Sequence, residues 1–515
     1  MPICLPLRQI MLCCFRWEAH VARYKEVPQD RIMVAISLEE QLIPGTIEFT
    51  LKEVIDNRLD LSAFDQFYTN DQVGPKAFSP KSLLKVILYA YSKGVLASRK
   101  IEAACRTNVL FMALADEARP DHATLASFVS TKCSLIKDVF VQVLAICAEL
   151  GLIGMEQFAL DGCKLSSNAA KEHSGTFAEY QKRLTSLEAK VDLLMKQHQH
   201  NDSHGEQDRI QKAIRRIQRR KERIQRFLAT HSPRVHHGKR EVKSNLTDNQ
   251  SAKLKTANGY IQGYNALAIS DARHQIVLNA YAIGRQYEGD ELQAFLTDSQ
   301  HTAAQAGIQE DQFRSATLLA DTNYFSEHNC RFLLGEQKMQ ALIPDPHFRS
   351  RDVRFAARST AHAIHKADFI YEPTHDRFRC PQGKLLSLYT RVRSGPHRGR
   401  KYRSQEHDCE GCPLAQSCLT KGARRRTLFV ADKRTSPSYA DRMRQLVDSP
   451  QGRQTYARRM AIIEPVFGNI KHTKGMNRFT LRGAMKVSIQ WLCYCLVHNI
   501  EKIATTGAIG RLQMA

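Results

Sequence analysis

The stretch that decides the fold is GYIQGYNALAISDARHQIVLNAYAIG, residues 259–284. Both halves are rich in apolar, aromatic and β-branched residues, a composition that is typical of strands. The segment Ala272–His274 lies between the halves and has the composition of a turn. We therefore predict two neighbouring strands joined by a short connection.

Apolar runs on either side extend this pair into a sheet. QFALDGCKLSSNA (157–169), SATLLADTNYFS (315–326) and MQALIPD (339–345) are typical of strands, and DELQAFLTDSQHTAAQAG (290–307) and HNCRFLLGEQ (328–337) of helices. The order strand, strand, strand, helix, strand, helix, strand predicts one mixed α/β sheet.

Helical patterns dominate two other parts of the chain. In residues 34–145, Ser79 is expected as an N-cap and Pro80 as the first residue of a helix within a bundle of short helices. Residues 177–228 predict an antiparallel helical hairpin with the basic run RRIQRRKERIQR (215–226). The bundle is either a DNA-binding domain or a plain structural one, and the basic run either contacts phosphates or is a solvated face.

Charge and cysteine content narrow the class of protein. The chain has 515 residues, with 75 Lys and Arg against 52 Asp and Glu, a net charge of +23. This excess favours a polyanionic partner, with nucleic acid ahead of a membrane surface, because no apolar run approaches the roughly 18 residues of a membrane span. Residues 1–20 make a poor signal peptide, since Arg8 and Arg16 interrupt the apolar core. Fourteen cysteines without a secretory signal predict a reducing cytosol and metal ligation rather than disulfides.

Three acids stand in apolar surroundings. Asp161 and Asp321 each end an apolar strand, and Glu464 interrupts the apolar run of AIIEPVFGNIKHTKG (461–475). Taken singly, an aspartate of this kind is ordinary turn chemistry. Together, three carboxylates predict a site for Mg²⁺ or Mn²⁺, in which two ions about 4 Å apart support phosphodiester displacement.

Pro465 and Lys471 add geometry to Glu464. The proline predicts that Glu464 lies at a helix start or a bend. Lys471 follows seven residues later, which on an α-helix gives the same face about 10 Å away. It is expected either to meet a DNA phosphate or to face solvent.

Four cysteines are clustered late in the chain. Cys409, Cys412 and Cys418 have the spacing CxxCx5C and follow Cys380. This pattern predicts a structural Zn²⁺ site in a ribbon-like loop, with His407 as a substitute ligand. The alternative is a set of reduced, partly buried thiols.

The ordered set of motifs resembles a DDE transposase of bacterial insertion sequences, with an InsH-like N-terminal domain and a ribonuclease-H-type core. The segments that carry the resemblance span most of residues 21–503 and are FSPKSLLKVILYAYSKGVLASRKIEAACRTNVLFMALADEARPDHATLASF, LDGCKLSSNA, GYIQGYNALAISD, ADTNYFSEHN, CEGCPLAQSC and YARRMAIIEPVFGNIKHTKGMNRFTLRG.

The resemblance implies specific roles. Asp161, Asp321 and Glu464 would be the catalytic, metal-binding triad, and Tyr456, Arg459 and Lys471 would match a Tyr, Arg, Glu, Lys signature that positions DNA. Arg459 departs from that signature by one residue, because four residues instead of three separate it from Glu464. The resemblance also implies that the partner is double-stranded DNA, at the element ends and at the target, and that the protein is a homodimer on DNA. It further implies no membrane association and a bacterial cytoplasmic, nucleoid-associated location.

The expected organisation has five parts. A ribonuclease-H-like mixed five-stranded sheet forms the core, preceded by an all-α domain and interrupted by two insertions. Residues 1–32 form an extension whose first 20 residues lie upstream of the usual start, and residues 33–148 form the helical domain. The first part of the core is 149–345, with the hairpin at 177–230. A basic cysteine-rich insertion follows at 346–450, and the C-terminal catalytic helix segment at 451–505. Two other functions stay open: a DNA-binding protein that no longer cuts, and a ribonuclease-H-like nuclease acting on branched or hybrid substrates without preference for repeat ends.

Overall fold

The structure is a computed structural model that describes residues 35–68, 76–200, 204–235, 241–351, 364, 366–394, 397–420, 422–432, 438–508 and 510. The expected extension at 1–32 lies outside these residues. Among the described residues, no helix is both long enough and apolar enough to cross a membrane.

The first described part is a bundle of short helices. They are α1 (Ile47–Asn57), α2 (Pro80–Ser92), α3 (Ser98–Thr107), α4 (Val109–Leu114), α5 (His122–Thr131) and α6 (Cys133–Glu149). Pro80 is the first residue of α2, whereas the Ser79 side chain makes no capping hydrogen bond. Side chains of Asn108 and Asp121 cap α4 and α5 by accepting backbone N–H bonds, which explains why the chain breaks into short helices there.

The central part of the chain builds the main sheet and the helical hairpin. Its elements are β1 (Gln157–Ser166), β2 (Ser174–Gly175), α7 (Phe177–Gln199), α8 (His204–Thr230), β3 (Arg234–Val235), β4 (Glu241–Val242), β5 (Ser244–Asn245), β6 (Ala252–Thr256), β7 (Gly259–Asp271), β8 (Val277–Ile283), α9 (Leu292–Gln305), α10 (Glu310–Ser315), β9 (Thr317–Ala320), α11 (Glu327–Arg331) and β10 (Ala341–Leu342). A π-helical turn, Phe332–Glu336, continues α11.

The main sheet is mixed and has the order β10-β9-β1-β7. β9 is parallel to β1 and β10 is parallel to β9, whereas β7 is antiparallel to β1. β6 and β8 pair with successive parts of the far edge of β7, both antiparallel. The predicted mixed α/β sheet is confirmed, but the expected number of five strands is wrong because the long β7 holds two neighbours on one edge.

The hairpin α7–α8 has a small core of its own. Tyr180, Leu187, Ile224 and Phe227 are buried between the two helices. A capping box, in which Thr176 and Glu179 bond each other's backbone N–H, fixes the start of α7.

A second sheet follows within residues 366–432. It consists of β11 (Ile370–Glu372), β12 (Arg377–Arg379), β13 (Leu385–Ser394), β14 (His397–Arg403) and β15 (Thr427–Ala431), all antiparallel in chain order, with short helices α12 (Glu406–Cys409) and α13 (Ala415–Cys418) between the last two strands. The sequence patterns indicated only a ribbon-like loop here, so this sheet was missed.

The last helices return to the main sheet. They are α14 (Tyr439–Asp448), α15 (Pro450–Ala457), α16 (Arg459–Gly468) and α17 (Ala484–Thr505). α16 lies against β1 and β7, and α17 packs against β8 and against α2 and α6 of the bundle. The main hydrophobic core therefore runs without interruption from the bundle through α17 into the sheet.

Candidate active site at the ends of two parallel strands

Two of the three predicted acids lie side by side in the main sheet. The parallel pairing of β1 and β9 ends at Leu160 and Ala320, and the next residues are Asp161 and Asp321. Parallel register therefore brings these two acids to the same level of the sheet. Burial raises the pKa of Asp161, and the negative charge of Asp321 adds to this rise, so the two carboxylates are within electrostatic reach of each other.

Arg459 compensates the charge of Asp161. Its Nη1 donates to Asp161 Oδ2 at 2.7 Å, and both side chains are more than 80% buried. The other carboxylate oxygen, Oδ1, accepts the Gly162 N–H at 2.8 Å. Burial lowers the pKa of Arg459, but Asp161 and Tyr456 outweigh it and the pKa is raised, so the guanidinium stays charged.

Tyr456 lies beside Arg459 at the end of α15. Burial raises the pKa of its hydroxyl. Its ring meets Phe348 edge to face, with centroids 5.5 Å apart. The tyrosine is thus held by packing, with its hydroxyl turned towards the arginine.

Glu464 lies on the exposed side of α16, between buried neighbours. Ile462, Ile463 and Val466 face the core, which explains why a single acid interrupts an apolar run. Its place in the site is indicated by Cys163 of β1, a buried thiol whose pKa burial raises to about 12 and which feels the charges of Glu464 and Asp161.

Pro465 does not start the helix. It lies inside α16, so the expectation that Glu464 occupies a helix start is wrong. A proline inside a helix leaves the carbonyl of the residue four positions earlier without its N–H partner. That carbonyl, on Ala461, accepts instead from Gln275 Nε2 at 3.3 Å. Gln275 is in the turn between β7 and β8, so this bond fastens α16 to the main sheet.

Lys471 lies on a π-helical turn rather than on an α-helix. α16 ends at Gly468, and residues Asn469–Thr473 are π-helical. The spacing of two α-helical turns between Glu464 and Lys471 is therefore wrong. The charges of Lys471 and Glu464 both act on the pKa of Cys163, so both groups are within electrostatic reach of β1.

Glu288 is a fourth acid in this region, and the sequence patterns missed it. It is only 4% exposed, and its two carboxylate oxygens accept from Asn265 Nδ2 of β7 and from Asn323 Nδ2, the latter at 3.1 Å. Burial raises its pKa, and the charge of Asp161 raises it further. Asn323 is two residues after Asp321, so Glu288 ties the Asp321 turn to β7, which lies on the other side of β1.

Two glycines make room for Glu288. A Cβ at Gly162 would collide with the Glu288 carboxylate, and a Cβ at Gly289 would collide with the Asn323 carbonyl. The sequence signal that could have found Glu288 is an acid followed by a glycine between a strand and a helix. Asp161 is likewise followed by a glycine, Gly162. Tyr324 is fully buried nearby, and its hydroxyl has no hydrogen-bond partner among the described residues.

The carboxylates suit hard cations in type but do not converge as they stand. Oxygen donors are the ligands that Mg²⁺ and Mn²⁺ prefer. Among the described residues, however, no group of three or more His, Cys, Asp or Glu side chains has the arrangement of a metal site. Arg459 occupies one oxygen of Asp161, and Glu464 is turned to solvent.

The four predicted zinc ligands line one small cavity in the second sheet. Cys380, Cys409, Cys412 and Cys418 surround a space of about 30 Å³, together with Phe369 and Leu386. Burial raises the pKa of Cys418, and the other three thiols raise it further. His407 is not part of the lining.

These features describe a mixed α/β protein with two acids at one level of neighbouring parallel strands. A family model described as a transposase DDE domain matches residues 379–504, and one described as a transposase domain (DUF772) matches residues 36–131. The first match contains Tyr456, Arg459 and Glu464, whereas Asp161 and Asp321 lie outside both. The two matches support a DDE transposase of an insertion sequence, in agreement with the resemblance seen in the sequence. No curated protein and no solved structure matched the chain.

Proposed function

We propose that this transposase binds the terminal inverted repeats of its element and catalyses Mg²⁺-dependent strand cleavage and strand transfer. The observation that carries the proposal is the placement of Asp161 and Asp321 at one level of parallel strands, beneath the helix that bears Glu464. The transposase matches supply the DNA substrate class.

A ribonuclease-H-like core is part of this proposal. The order β8-β7-β1-β9-β10, with the first three strands antiparallel and the last two parallel to β1, supports it. In this arrangement Asp161, in the central strand β1, lies next to Asp321, which follows the end of the adjoining parallel strand β9.

The three acids would hold the divalent ions. When bound, two Mg²⁺ ions activate the attacking oxygen and stabilise the leaving oxygen in phosphodiester displacement. Water attacks the phosphorus first, and the bond to the 3′-oxygen breaks, which frees a 3′-hydroxyl. This hydroxyl then attacks a phosphodiester of the target, where the new P–O bond forms as the target's own 3′-oxygen leaves and takes up the proton. In this proposal Arg459 leaves Asp161 and binds a DNA phosphate, and Tyr456 holds that arginine in place. Lys471 binds a second phosphate.

Cleavage of a labelled duplex carrying the terminal repeat, measured with DNA binding in the same samples, tests the proposal. We expect Mg²⁺-dependent cutting by the wild type and at least a hundredfold loss in Glu464→Gln with binding retained. Glu222→Gln, at an exposed position on α8, is the matched control and should cut normally. Normal cutting by Glu464→Gln would overturn the assignment of the triad.

One contact favours a second candidate function, a DNA-binding protein that no longer cuts. The ion pair of Arg459 with Asp161 neutralises an acid that the catalytic proposal needs as a metal ligand. If the wild type binds the repeat but leaves it intact with Mg²⁺ or Mn²⁺, while Arg459→Ala gains no activity, this second function replaces the first.

We also propose a structural Zn²⁺ held by Cys380, Cys409, Cys412 and Cys418. The shared cavity supports it, and so does the backbone N–H of Lys384, which donates to Cys380 Sγ at 3.3 Å as is usual for a ligating thiolate. The four thiols would have to move closer together, since among the described residues they do not have the arrangement of a metal site.

Metal content of the purified protein tests the zinc proposal. We expect one zinc per chain, and thiolate-to-metal absorption bands after exchange with Co²⁺. Cys412→Ser should lose both signals, whereas Cys105→Ala, in the helical bundle, should keep them. Wild-type protein without zinc, or zinc retained by Cys412→Ser, would contradict it.

The remaining expectations follow from the same activity. Two element ends must be brought together, so we propose a homodimer on DNA and a cytoplasmic, nucleoid-associated location. The mass of the protein–repeat complex tests the dimer.

A further inference from the structure

The hairpin β13–β14 places arginines directly opposite arginines. In its antiparallel register Arg391 pairs with Arg400, and Arg393 pairs with Arg398. Directly paired residues share one face of a sheet, and residues two apart on a strand also share that face. The four side chains therefore form one patch, which we call the arginine ladder.

Like charges in directly opposite positions destabilise a sheet. Natural pairs at such positions are usually of opposite charge, aromatic or β-branched, so two successive arginine pairs need a reason other than stability. Side chains of the ladder are exposed or half-buried, so they are available to a partner.

Carboxylates in the second sheet compensate only part of this charge. Asp376 makes an ion pair with Arg400 at 3.1 Å. Asp432 follows β15, and its backbone N–H donates to the Arg398 carbonyl at 2.9 Å. Among the described residues, neither Arg391 nor Arg398 makes an ion pair.

The rest of the hairpin adds to the positive charge. Lys401 and Arg403 alternate with the ladder residues of β14 and so lie on the opposite face of the sheet, where the Arg403 guanidinium is 3.6 Å from the centre of the Tyr389 ring, which is 58% exposed. The hairpin therefore carries basic residues on both faces, and the uncompensated charge of Arg391 and Arg398 lies on the face of the ladder.

We propose that the arginine ladder binds the phosphate backbone of duplex DNA. Duplex DNA carries one negative charge per about 1.7 Å of its axis, which matches a dense basic patch, and guanidinium groups bind phosphate in a bidentate manner. The inference rests on the proposed function for its choice of polyanion, and it adds a second contact region, outside the helical bundle and the acidic site.

The test is a double variant that removes one charge from each pair, Arg391→Gln with Arg398→Gln. Affinity for a labelled duplex is measured as a function of salt concentration. Each lost phosphate contact reduces the slope of log K against log salt by about 0.9, so we expect a slope shallower by about two. The melting temperature should stay the same or rise, because each pair loses its repulsion. Lys190→Gln with Lys196→Gln, at exposed positions on α7, is the charge-matched control and should keep the wild-type slope.

The outcomes separate this proposal from the cutting activity. A wild type that binds duplex but never cuts, with a shallower slope in the ladder variant, leaves the ladder standing and defeats the proposed function. A wild type that cuts, with equal slopes in wild type and ladder variant, defeats the ladder only. Equal losses in the lysine control, tighter competition by duplex RNA, or no binding of duplex DNA by the wild type would each overturn it.

Discussion

The two sheets of this protein are similar in size but are stabilised by different forces. The main sheet lies in a continuous hydrophobic core that it shares with the helical bundle and α17. The second sheet buries only a small cluster of five side chains, which are Phe369, Phe378, Leu386, Tyr402 and Leu428. Ion pairs such as those of Arg377 and Arg379 with Glu372 join its strands at the surface. A small apolar core supplies little stability, so such a module depends on cross-links or metals.

The difference matters for function. In the main sheet, Asp161 and Asp321 belong to neighbouring strands within the continuous core, which fixes their relative positions. The second sheet presents arginines, one of which, Arg400, is itself part of an ion pair with Asp376.

Removal of metal should have the largest effect, and only on the second sheet. Structural zinc contributes roughly 10 kcal/mol or more to the folding of small zinc-binding peptides. With a strong chelator we expect amide exchange in β12 and β13 to accelerate at least about 100-fold, while β7 and β8 keep their protection. Equal protection of both sheets with and without chelator would show that the second sheet needs no metal.

Trp491→Ala should destabilise the main core by about 3–5 kcal/mol. The Trp491 ring is fully buried on α17, and its Nε1 donates to the Leu267 carbonyl of β7 at 2.8 Å, so the substitution leaves a cavity and removes a buried hydrogen bond. Denaturant unfolding followed by circular dichroism measures the loss. Met485→Ala, 64% exposed on the same helix, should change stability by less than about 0.5 kcal/mol.

His498 should make the main core sensitive to acid. Burial lowers its pKa from 6.5 to about 4, with Lys502 and Lys474 contributing in the same direction and Glu501 opposing. Its Nε2–H donates to the Gln275 carbonyl at 2.9 Å, and its Nδ1 accepts from Asn469 Nδ2 at 2.9 Å, which requires the neutral ring. The unfolded chain takes up a proton below about pH 6.5 that the native chain excludes until about pH 4. The free energy of unfolding should therefore fall by about 3 kcal/mol over this interval.

The variant His498→Gln isolates this term. The difference in unfolding free energy between wild type and variant should change with pH between about 6.5 and 4 and stay constant above pH 7. A difference that is independent of pH would mean that His498 takes up its proton at the same pH in the native and the unfolded chain, and that burial does not lower its pKa.

Glu288→Gln should have the smallest energetic effect, and it concerns activity. The amide cannot accept from both Asn265 and Asn323, so the Asp321 turn loses one of its ties to β7. We expect cleavage to fall by about 10–100-fold with unchanged DNA binding, the usual cost of losing a residue that orients a ligand. Glu291→Gln, three residues later, is the control, and unchanged cleavage by Glu288→Gln would remove Glu288 from the site.

The sequence predicts the main sheet well because apolar strands carry their own signal. β1, β7, β8 and β9 lie where apolar runs indicate them, since burial on both faces needs continuous apolar residues. The second sheet was missed because strands such as Arg377–Arg379 and His397–Arg403 are basic and have no apolar alternation.

The site is predictable in its parts but not in its contacts. Asp321 follows the end of β9 as predicted, whereas the expectation that Asp161 ends a strand is wrong, because β1 continues to Ser166; the parallel register sets the two acids side by side. The bond between Arg459 and Asp161 joins residues 298 positions apart, and no local pattern contains it. Pro465 violates a local rule, and only the tertiary bond from Gln275 explains why the helix tolerates it.

The position of α17 has a consequence for the order in which the protein matures on the ribosome. The bundle at the beginning of the described chain packs against a helix from near its end, with Tyr91 stacked on Tyr494 at 4.9 Å. Until residues 484–505 have left the exit tunnel, the bundle and the main sheet lack α17, the helix that packs against both. The ion pair between Arg459 and Asp161 likewise cannot form before residue 459 has emerged. A chain that has not yet reached residue 505 therefore lacks the complete helix that joins the bundle to the main sheet.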